Sequence, residues 1–354
     1  MKQLTSYVSR TVLSAMLLVL LLLLGLELVF SFIGELEDVK GGYTASEALI
    51  YILLTGPGRA YEMLPIAALI GGIAGLGMLA GASELTVMRA AGVSIGRIVW
   101  WVLRPAMVLV VAGLLLGQFV VPHTEKMAET RRALALGQNY LAGWLNSYWH
   151  REGDQLLRIG TVEPDGPLHD LVFFRYSADG HLLENSRAET ARYREGQWQL
   201  LNVRETLFQP DGTATVAVTP ERSWDSRLTP EFLRLVTMDP EYLSLSNLYF
   251  YAHYMKTQGL DSGAYFLEFW KKALAPLATI SMVLIACSFI FGALRSVSMG
   301  LRILAGVMAG LLFRYGQDFL GYASLVYDFS PVAAAGLPIV VCLLIGGVAI
   351  ARVK

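Results

Sequence analysis

Apolar residues along this chain gather into six long runs, three before and three after a polar block at 124–261. The runs occupy 11–34, 58–81, 98–122, 265–294, 299–322 and 331–352. Each reaches the ~20 residues that a helix needs to cross the ~30 Å hydrocarbon layer of a bilayer. Inside lipid every backbone donor and acceptor must be paired within the segment, so runs of this length are helices. The pattern predicts a membrane protein of six transmembrane α-helices with a folded domain inserted between helices three and four.

Within the block the period changes. Stretches 155–163, 169–177, 198–208 and 213–219 are short and rich in Val, Leu, Phe and Tyr. Asp165-Gly166, Asp179-Gly180 and Asp211-Gly212 separate them, and such dipeptides suit tight hairpin turns. Short strands at near-regular spacing predict an antiparallel sandwich or roll. Helical sequence flanks it at 122–137, a continuation of span three, and at 245–260, a return helix before span four. Three parts follow: 1–122 with spans one to three, 123–262 with the β domain and its helical struts, and 263–354 with spans four to six.

Composition narrows the class further. Hydrophobic residues make up 55% and charged residues 16%, far from soluble habits, and the net charge of −1 offers nothing to nucleic acid. Cys287 and Cys342 both fall in predicted spans, so neither a disulfide framework nor a metal site is expected. Lys2 and Arg10 before a leucine run resemble a secretory signal, but the run is long and no small-x-small site closes it, which predicts an uncleaved span. Bases also lie at Arg89, Arg97, Arg295, Arg302, Arg352 and Lys354. The opposite loops carry Glu35, Glu37, Asp38 and Glu47 against Lys40 and Arg59. The positive-inside rule then puts both termini in the cytoplasm and the β insert on the far side, the periplasm of a Gram-negative cell.

Segment 81–97, GASELTVMRAAGVSIGR, holds much of the cytoplasmic sequence. Ser83 reads as an N-cap, and Glu84 falls in the first turn, where the helix dipole favours a carboxylate. Leu85, Met88 and Val87 give a short apolar face; Ala90, Ala91 and Gly92 permit close approach by another backbone. A helix of this kind suits docking into a groove of a soluble partner, and equally an ordinary loop helix at the membrane interface. GVSIG (92–96) matches the G-x-S-x-G elbow formally, without the strand–turn–helix setting or nearby histidine that the elbow requires. No Gly-Lys P-loop, HExxH or CxxC occurs, so the chain reads as a non-enzyme that draws energy from elsewhere.

Charges inside the spans deserve a separate weighing. Glu27 in span one lies ~25 Å along the helix from Arg10, and Arg314 in span five ~18 Å from Arg302, both in the outer half of the bilayer. Arg314 and Asp318, four apart, share a face and can neutralise one another. Intramembrane charges suggest a functional cavity, and the plainer alternative is a satisfied pair that joins two helices. Glycine and alanine crowd spans two and five, permitting tight helix packing.

At SELTVMRAAG (83–92) the chain resembles the permease subunits of the lipopolysaccharide-export ABC transporter, the LptF/LptG family, with the LptG branch the nearer. The longest blocks are 64–92 and 288–306, and the likeness runs over essentially the whole chain. It implies an outward β-jellyroll and a non-catalytic subunit that pairs with a paralogous LptF-like permease. An LptB-like ATPase dimer would supply the ATP and Mg chemistry, with no cofactor in this chain. Glu84, Leu85, Met88, Arg89, Ala91 and Gly92 would then form the coupling helix, with Glu84 meeting a basic residue of the ATPase.

The resemblance further implies that lipopolysaccharide enters between span one of one permease and span five of the other. It would pass along Leu23, Leu26, Phe30 and Ile33, and along Leu304, Val307, Leu311 and Tyr315, toward a single-span LptC-like jellyroll partner. One departure is visible. Family members carry lysines at the outer end of span one, whereas FSFIGELEDVK (30–40) has Ser31, Glu37 and Asp38 there, and Lys40 is the first base. The lipid's phosphates would then fall to Lys40, Arg131, Arg132 and Arg314. The rival from another class is an ion-coupled transporter or channel using Glu27, Arg314 and Asp318, although no internal repeat supports it.

Overall fold

The computed structural model describes residues 2–136, 148–152, 154–162, 167–177, 179–194, 196–209, 213–226, 228–230, 233, 240–257, 261–292 and 297–352. Two compact units divide the chain. One comprises Met1–Glu37, Leu49–Ala128 and Pro240–Lys354; the other comprises Asp38–Ala48 and Glu129–Asp239.

Among the described residues, six helices are long and apolar enough to cross a membrane. Helix α1 covers Lys2–Glu35 and ends in a 3-10 turn, Leu36–Asp38. Helix α2 covers Ala45–Gly81, and a short α3 covers Glu84–Ala90. Helix α4 covers Ile95–Leu115 and runs through a π-turn, Leu116–Val120, into α5, Val121–Ala135. After the sheet come α6 (Leu245–Thr257), α7 (Gly263–Phe291), α8 (Met299–Tyr327) and α9 (Pro331–Ala351). The largest difference from the sequence pattern is in α2, which begins thirteen residues before 58 and continues through Pro57 and Pro65. Gly56-Pro57-Gly58 looks like a break, yet a helix at membrane depth tolerates proline when neighbours satisfy the freed backbone group. Ser83 is also not the expected side-chain cap: it takes a left-handed backbone (φ 61°) with no cap hydrogen bond, and its carbonyl accepts from Val87 N.

The glycine-rich stretch of α2 does what its composition predicts. A Cβ on Gly71 would fall on the Met16 backbone, and one on Gly75 would meet Cα of Val12 at 2.9 Å, so α1 lies directly against α2. Val8, Val12 and Met16 are fully buried there, and the core continues through Leu69, Ile73, Ile98, Met282 and Cys287.

The inserted sheet is antiparallel, with six strands in sequence order: β1 Tyr148–Glu152, β2 Gln155–Val162, β3 Leu168–Tyr176, β4 Leu182–Arg194, β5 Gln197–Phe208 and β6 Ala214–Trp224. The described strands thus form an up-and-down meander. Strands β1 and β4 are additions to the sequence reading. Strand β4 hides its period because Glu184 and Ser186 occupy inward positions beside Ala188 and Ala191. The buried Glu184 carboxylate is offset by Arg175 and Arg222. Trp198, 1% exposed, anchors the core and donates its indole N–H to the Leu228 carbonyl at 2.7 Å. Of the three Asp-Gly turns, Asp179-Gly180 closes β3 to β4 with Gly180 at φ 83°. Asp165-Gly166 and Asp211-Gly212 lie outside the described residues, as do Arg295 and Lys354.

Candidate functional site

Burial separates the spans sharply. In the most apolar window of α1 only 6% of residues are buried, and in α8 only 17%, against 67% in α2 and 61% in α7. Leu26, Phe30 and Ile33 of α1 are exposed, as are Leu304, Leu311 and Tyr315 of α8; Leu23 and Val307 are half-buried. These two helices present apolar faces that this chain does not cover.

Helix α1 is held at two levels. Its first turns pack on Gly71 and Gly75, whereas its second half is pinned by charge. Arg59 of α2 donates to Glu27 Oε1 at 2.7 Å and to the Ser31 hydroxyl, and its Nε reaches Thr55 at 3.3 Å. Glu27 therefore has a partner on the neighbouring helix that the sequence reading did not identify. The signal was weak because Arg59 sits beside a Pro-Gly pair and looks like a loop base.

A cavity of about 160 Å³ lies between α2, α4, α7, α8 and the 3-10 turn Pro240–Tyr242. Its floor is apolar, with Leu64, Val110 and Phe313, and its wall is densely charged. Arg314 donates to Glu62 Oε2 of α2 at 2.9 Å. Asp318 lies 3.7 Å from the Lys271 ammonium of α7, which also meets Glu268 at 2.9 Å. The expected Arg314–Asp318 pairing is thus replaced: each reaches across to a different helix, and α8 is tied to both α2 and α7. Lys272, 8% exposed, donates to the Leu243 carbonyl at 2.7 Å and so fastens the segment after the 3-10 turn. On that turn the Glu241 carboxyl is pushed up to about 7, first by burial and then by the charge and hydrogen bond of Glu62. The proton that Glu241 retains offsets part of the cavity's negative charge. Glu62, Glu268, Lys271 and Lys272 escaped the sequence reading because they stand near the ends of their runs, where charges look interfacial. The Glu268–Lys271 spacing of three was the available clue.

The short helix α3 turns its apolar side inward. Leu85 and Met88 belong to the chain's own core, so the surface left for another molecule consists of Thr86, Val87, Ala90, Ala91 and Gly92 with Glu84 and Arg89 beside it. Glu84 accepts a hydrogen bond from the Tyr7 hydroxyl of α1 at 3.1 Å. In the second unit, Arg131 grips Glu47 through Nε at 2.6 Å and Nη2 at 3.1 Å, and Arg132 meets Asp38 at 2.7 Å. Asp38, one of the residues standing where the resemblance expects lysines, is therefore the partner of Arg132. Lys40 is exposed.

Comparison with known proteins accounts for this arrangement of helices and sheet. Residues 6–352 match the family described as "Lipopolysaccharide export system permease LptF/LptG". The chain is 34% identical over 335 residues to "Lipopolysaccharide export system permease protein LptG" of Escherichia coli (strain K12), covering 94% of this chain and 93% of that protein. It is 33% identical to the protein of the same description from Haemophilus influenzae (strain ATCC 51907 / DSM 11121 / KW20 / Rd), with the same coverage. The chain belongs to the LptF/LptG family of lipopolysaccharide export system permeases.

Proposed function

We propose that this chain is the non-catalytic permease subunit of an ABC transporter that extracts lipopolysaccharide from the inner membrane and passes it to a periplasmic β-sheet bridge. The observation that carries the reading is the unequal burial of the spans. Helices α1 and α8, the first and fifth spans, leave Phe30, Ile33, Leu311 and Tyr315 uncovered, while α2 and α7 are packed within the chain. A lipid with several acyl chains needs apolar walls of that kind, and its covering by a paralogous permease would close the path.

Orientation follows from charge, with both termini cytoplasmic and the sheet periplasmic. Helix α3 then faces an ATPase dimer, with Glu84 offered to a base and the small residues Ala90, Ala91 and Gly92 allowing close approach. Edge strands β1 and β6 carry open backbone groups, a basis for continuing the sheet into a single-span jellyroll partner. Arg131, Arg132 and Lys40 are the head-group bases of the second unit. Arg314 is committed to Glu62 and contributes only by exchanging that partner for a phosphate. The ion-coupled alternative gains no support from the comparisons, and the charges it would use are engaged in helix-to-helix pairs.

Photocrosslinkers at Phe30 and Leu311, in membranes containing the assembled transporter, should capture lipopolysaccharide. Capture from α2 and α7 alone would refute the route.

A further inference from the structure

A second charged concavity lies away from the export path, where the first turns of α1 meet α4, and its origin can be traced to one residue. Pro105 stands inside α4 without an N–H, so the carbonyl of Trp101, four residues earlier, has no donor within the helix. Ser9 of α1 supplies one, its hydroxyl donating to Trp101 O at 2.8 Å. That bond draws the two helices together at one level and leaves a groove of about 660 Å³ beside it.

Three bases enter the groove: Lys2 and Arg10 from α1, and Arg104 from α4. Among the described residues no acidic side chain lines it, and none of the three bases has an ion pair or hydrogen bond. Lys2, Ser6, Arg10 and Leu13 follow the spacing of one helix face, and Arg104 and Val108 are one turn apart on the other wall. Arg104 is well inside the helix, ~13 Å along the axis from Ile95, at a depth where a lone base is costly. A long arginine side chain lowers that cost by reaching toward the interface, which brings its guanidinium to the level of the other two bases. Beneath them Leu13 and Val108 offer apolar walls. Positive charge above and hydrocarbon below, at one membrane surface, is the inverse of an anionic phospholipid.

We infer that this groove binds an anionic phospholipid of the leaflet at the N-terminal end of α1, its phosphate held by Lys2, Arg10 and Arg104 and an acyl chain lying along Leu13 and Val108. With the orientation proposed above this is the cytoplasmic leaflet, opposite the lipopolysaccharide head group. The bound lipid stands against the helix that borders the export path, next to Tyr7 and its contact to Glu84.

The test uses the full chain with its co-purifying partners in nanodiscs, probed with spin-labelled phosphatidylglycerol against spin-labelled phosphatidylcholine. The wild type should retain a motionally restricted phosphatidylglycerol fraction well above that of phosphatidylcholine. Arg10→Gln and Arg104→Gln should each lower that preference roughly fivefold, the factor equivalent to about 1 kcal/mol per base at an anionic surface. Arg104→Lys should keep most of it, and Arg352→Gln, a base of the same membrane end outside the groove, should change nothing. Equal association of the two lipids in the wild type, or an equal loss in Arg352→Gln, would overturn the site. So would competition by lipopolysaccharide, which would put the groove on the export path. If phosphatidylglycerol is retained while crosslinks at Phe30 and Leu311 fail to capture lipopolysaccharide, the groove stands and the export reading falls.

Discussion

The helical unit holds two concave places lined by charge, and they are built on opposite plans. Around the cavity of α2, α7 and α8 the three bases have each found an acid or a carbonyl among the described residues: Arg314 with Glu62, Lys271 with Glu268 and Asp318, Lys272 with Leu243 O. In the groove of α1 and α4, Lys2, Arg10 and Arg104 have no acid or carbonyl partner among the described residues. The contrast is one of depth and purpose. A charge held among helices must be compensated locally, because removing it from water costs more than one partner returns. A charge that reaches the interface stays hydrated and remains available for an anion from outside. Compensated clusters join helices; uncompensated ones recruit ligands.

The sharpest way to break the contrast is to take one partner from the compensated cavity. Arg314→Ala leaves Glu62 beside Glu241 and Glu268 with no base from α8. A fully buried pair broken in this way costs ~3–5 kcal/mol. Arg314 and Glu62 are about 40% exposed in their side chains, so the expected loss is smaller, about 1–3 kcal/mol. Thermal unfolding in detergent should show it. The double variant Arg314→Leu, Glu62→Leu should recover most of that stability, since two apolar residues replace a pair, yet α8 would lose its polar tie to α2. A single variant as stable as the wild type would show that the cluster joins nothing.

A second test concerns an acid without a base. Among the described residues the partner of Glu84 is the neutral Tyr7 hydroxyl, which leaves its charge ready for a cationic contact. Glu84→Lys should weaken co-purification of the ATPase roughly ten- to a hundredfold, the factor to which the ~1.5–3 kcal/mol of a hydrogen bond to a charged group converts. Charge reversal of the opposing base should restore part of it. Tyr7→Phe should preserve assembly while loosening the link between α3 and α1. Wild-type assembly and export in Glu84→Lys would end the docking reading.

How much of this was legible in the sequence depends on what each feature needs to be seen. Six apolar runs report six spans because lipid leaves the backbone no alternative, and the glycines and alanines crowding span two pointed to the close packing found at Gly71 and Gly75. The partners of the charges were not legible. Spacing of four made Arg314 and Asp318 look like a pair, but the helix-to-helix contacts to Glu62 and Lys271 depend on which faces meet, and α2 and α8 are apolar nearly all round. Leu85 and Met88 read equally well as a docking face and as core, and packing chose core. Arg104 passed unnoticed because one base in a long apolar run changes its mean hydropathy very little. Strand β4 was hidden because its inward positions hold Glu184, Ser186 and two alanines rather than branched apolar residues.

The stalk arginines offer an intermediate case that sharpens the comparison. Arg131 and Arg132 are paired, but with Glu47 and Asp38 at the surface, where an ion pair contributes only about 0.2–1 kcal/mol. Such partners exchange readily for a phosphate. Arg131→Ala with Arg132→Ala should lower lipopolysaccharide loading in reconstituted membranes about two- to fivefold while ATPase assembly is retained. Unchanged loading would show that the head group is held elsewhere.

The smallest expected effect tests whether the cavity's compensation depends on a proton. The Glu241 carboxyl has its pKa raised from 4.5 to about 7 in the folded chain, by burial first and by Glu62 second. A carboxyl raised on folding binds its proton more tightly in the native state, so the stability it adds is fully present below about 4.5 and is lost as pH rises through about 7. Above that point the ionised Glu241 faces Glu62, and Lys271, Lys272 and Arg314 moderate the repulsion. Melting temperature should therefore decline from pH 5 to pH 8, in part through this group. Glu241→Gln, which keeps a hydrogen-bond donor for Glu62 without a titrating proton, should flatten that decline and gain most at pH 8. Glu241 stands at the rim of the cavity, so solvent keeps the amplitude modest and added salt reduces it further. A slope identical to wild type in Glu241→Gln would assign the pH dependence to other groups and leave the cavity compensated without a shared proton.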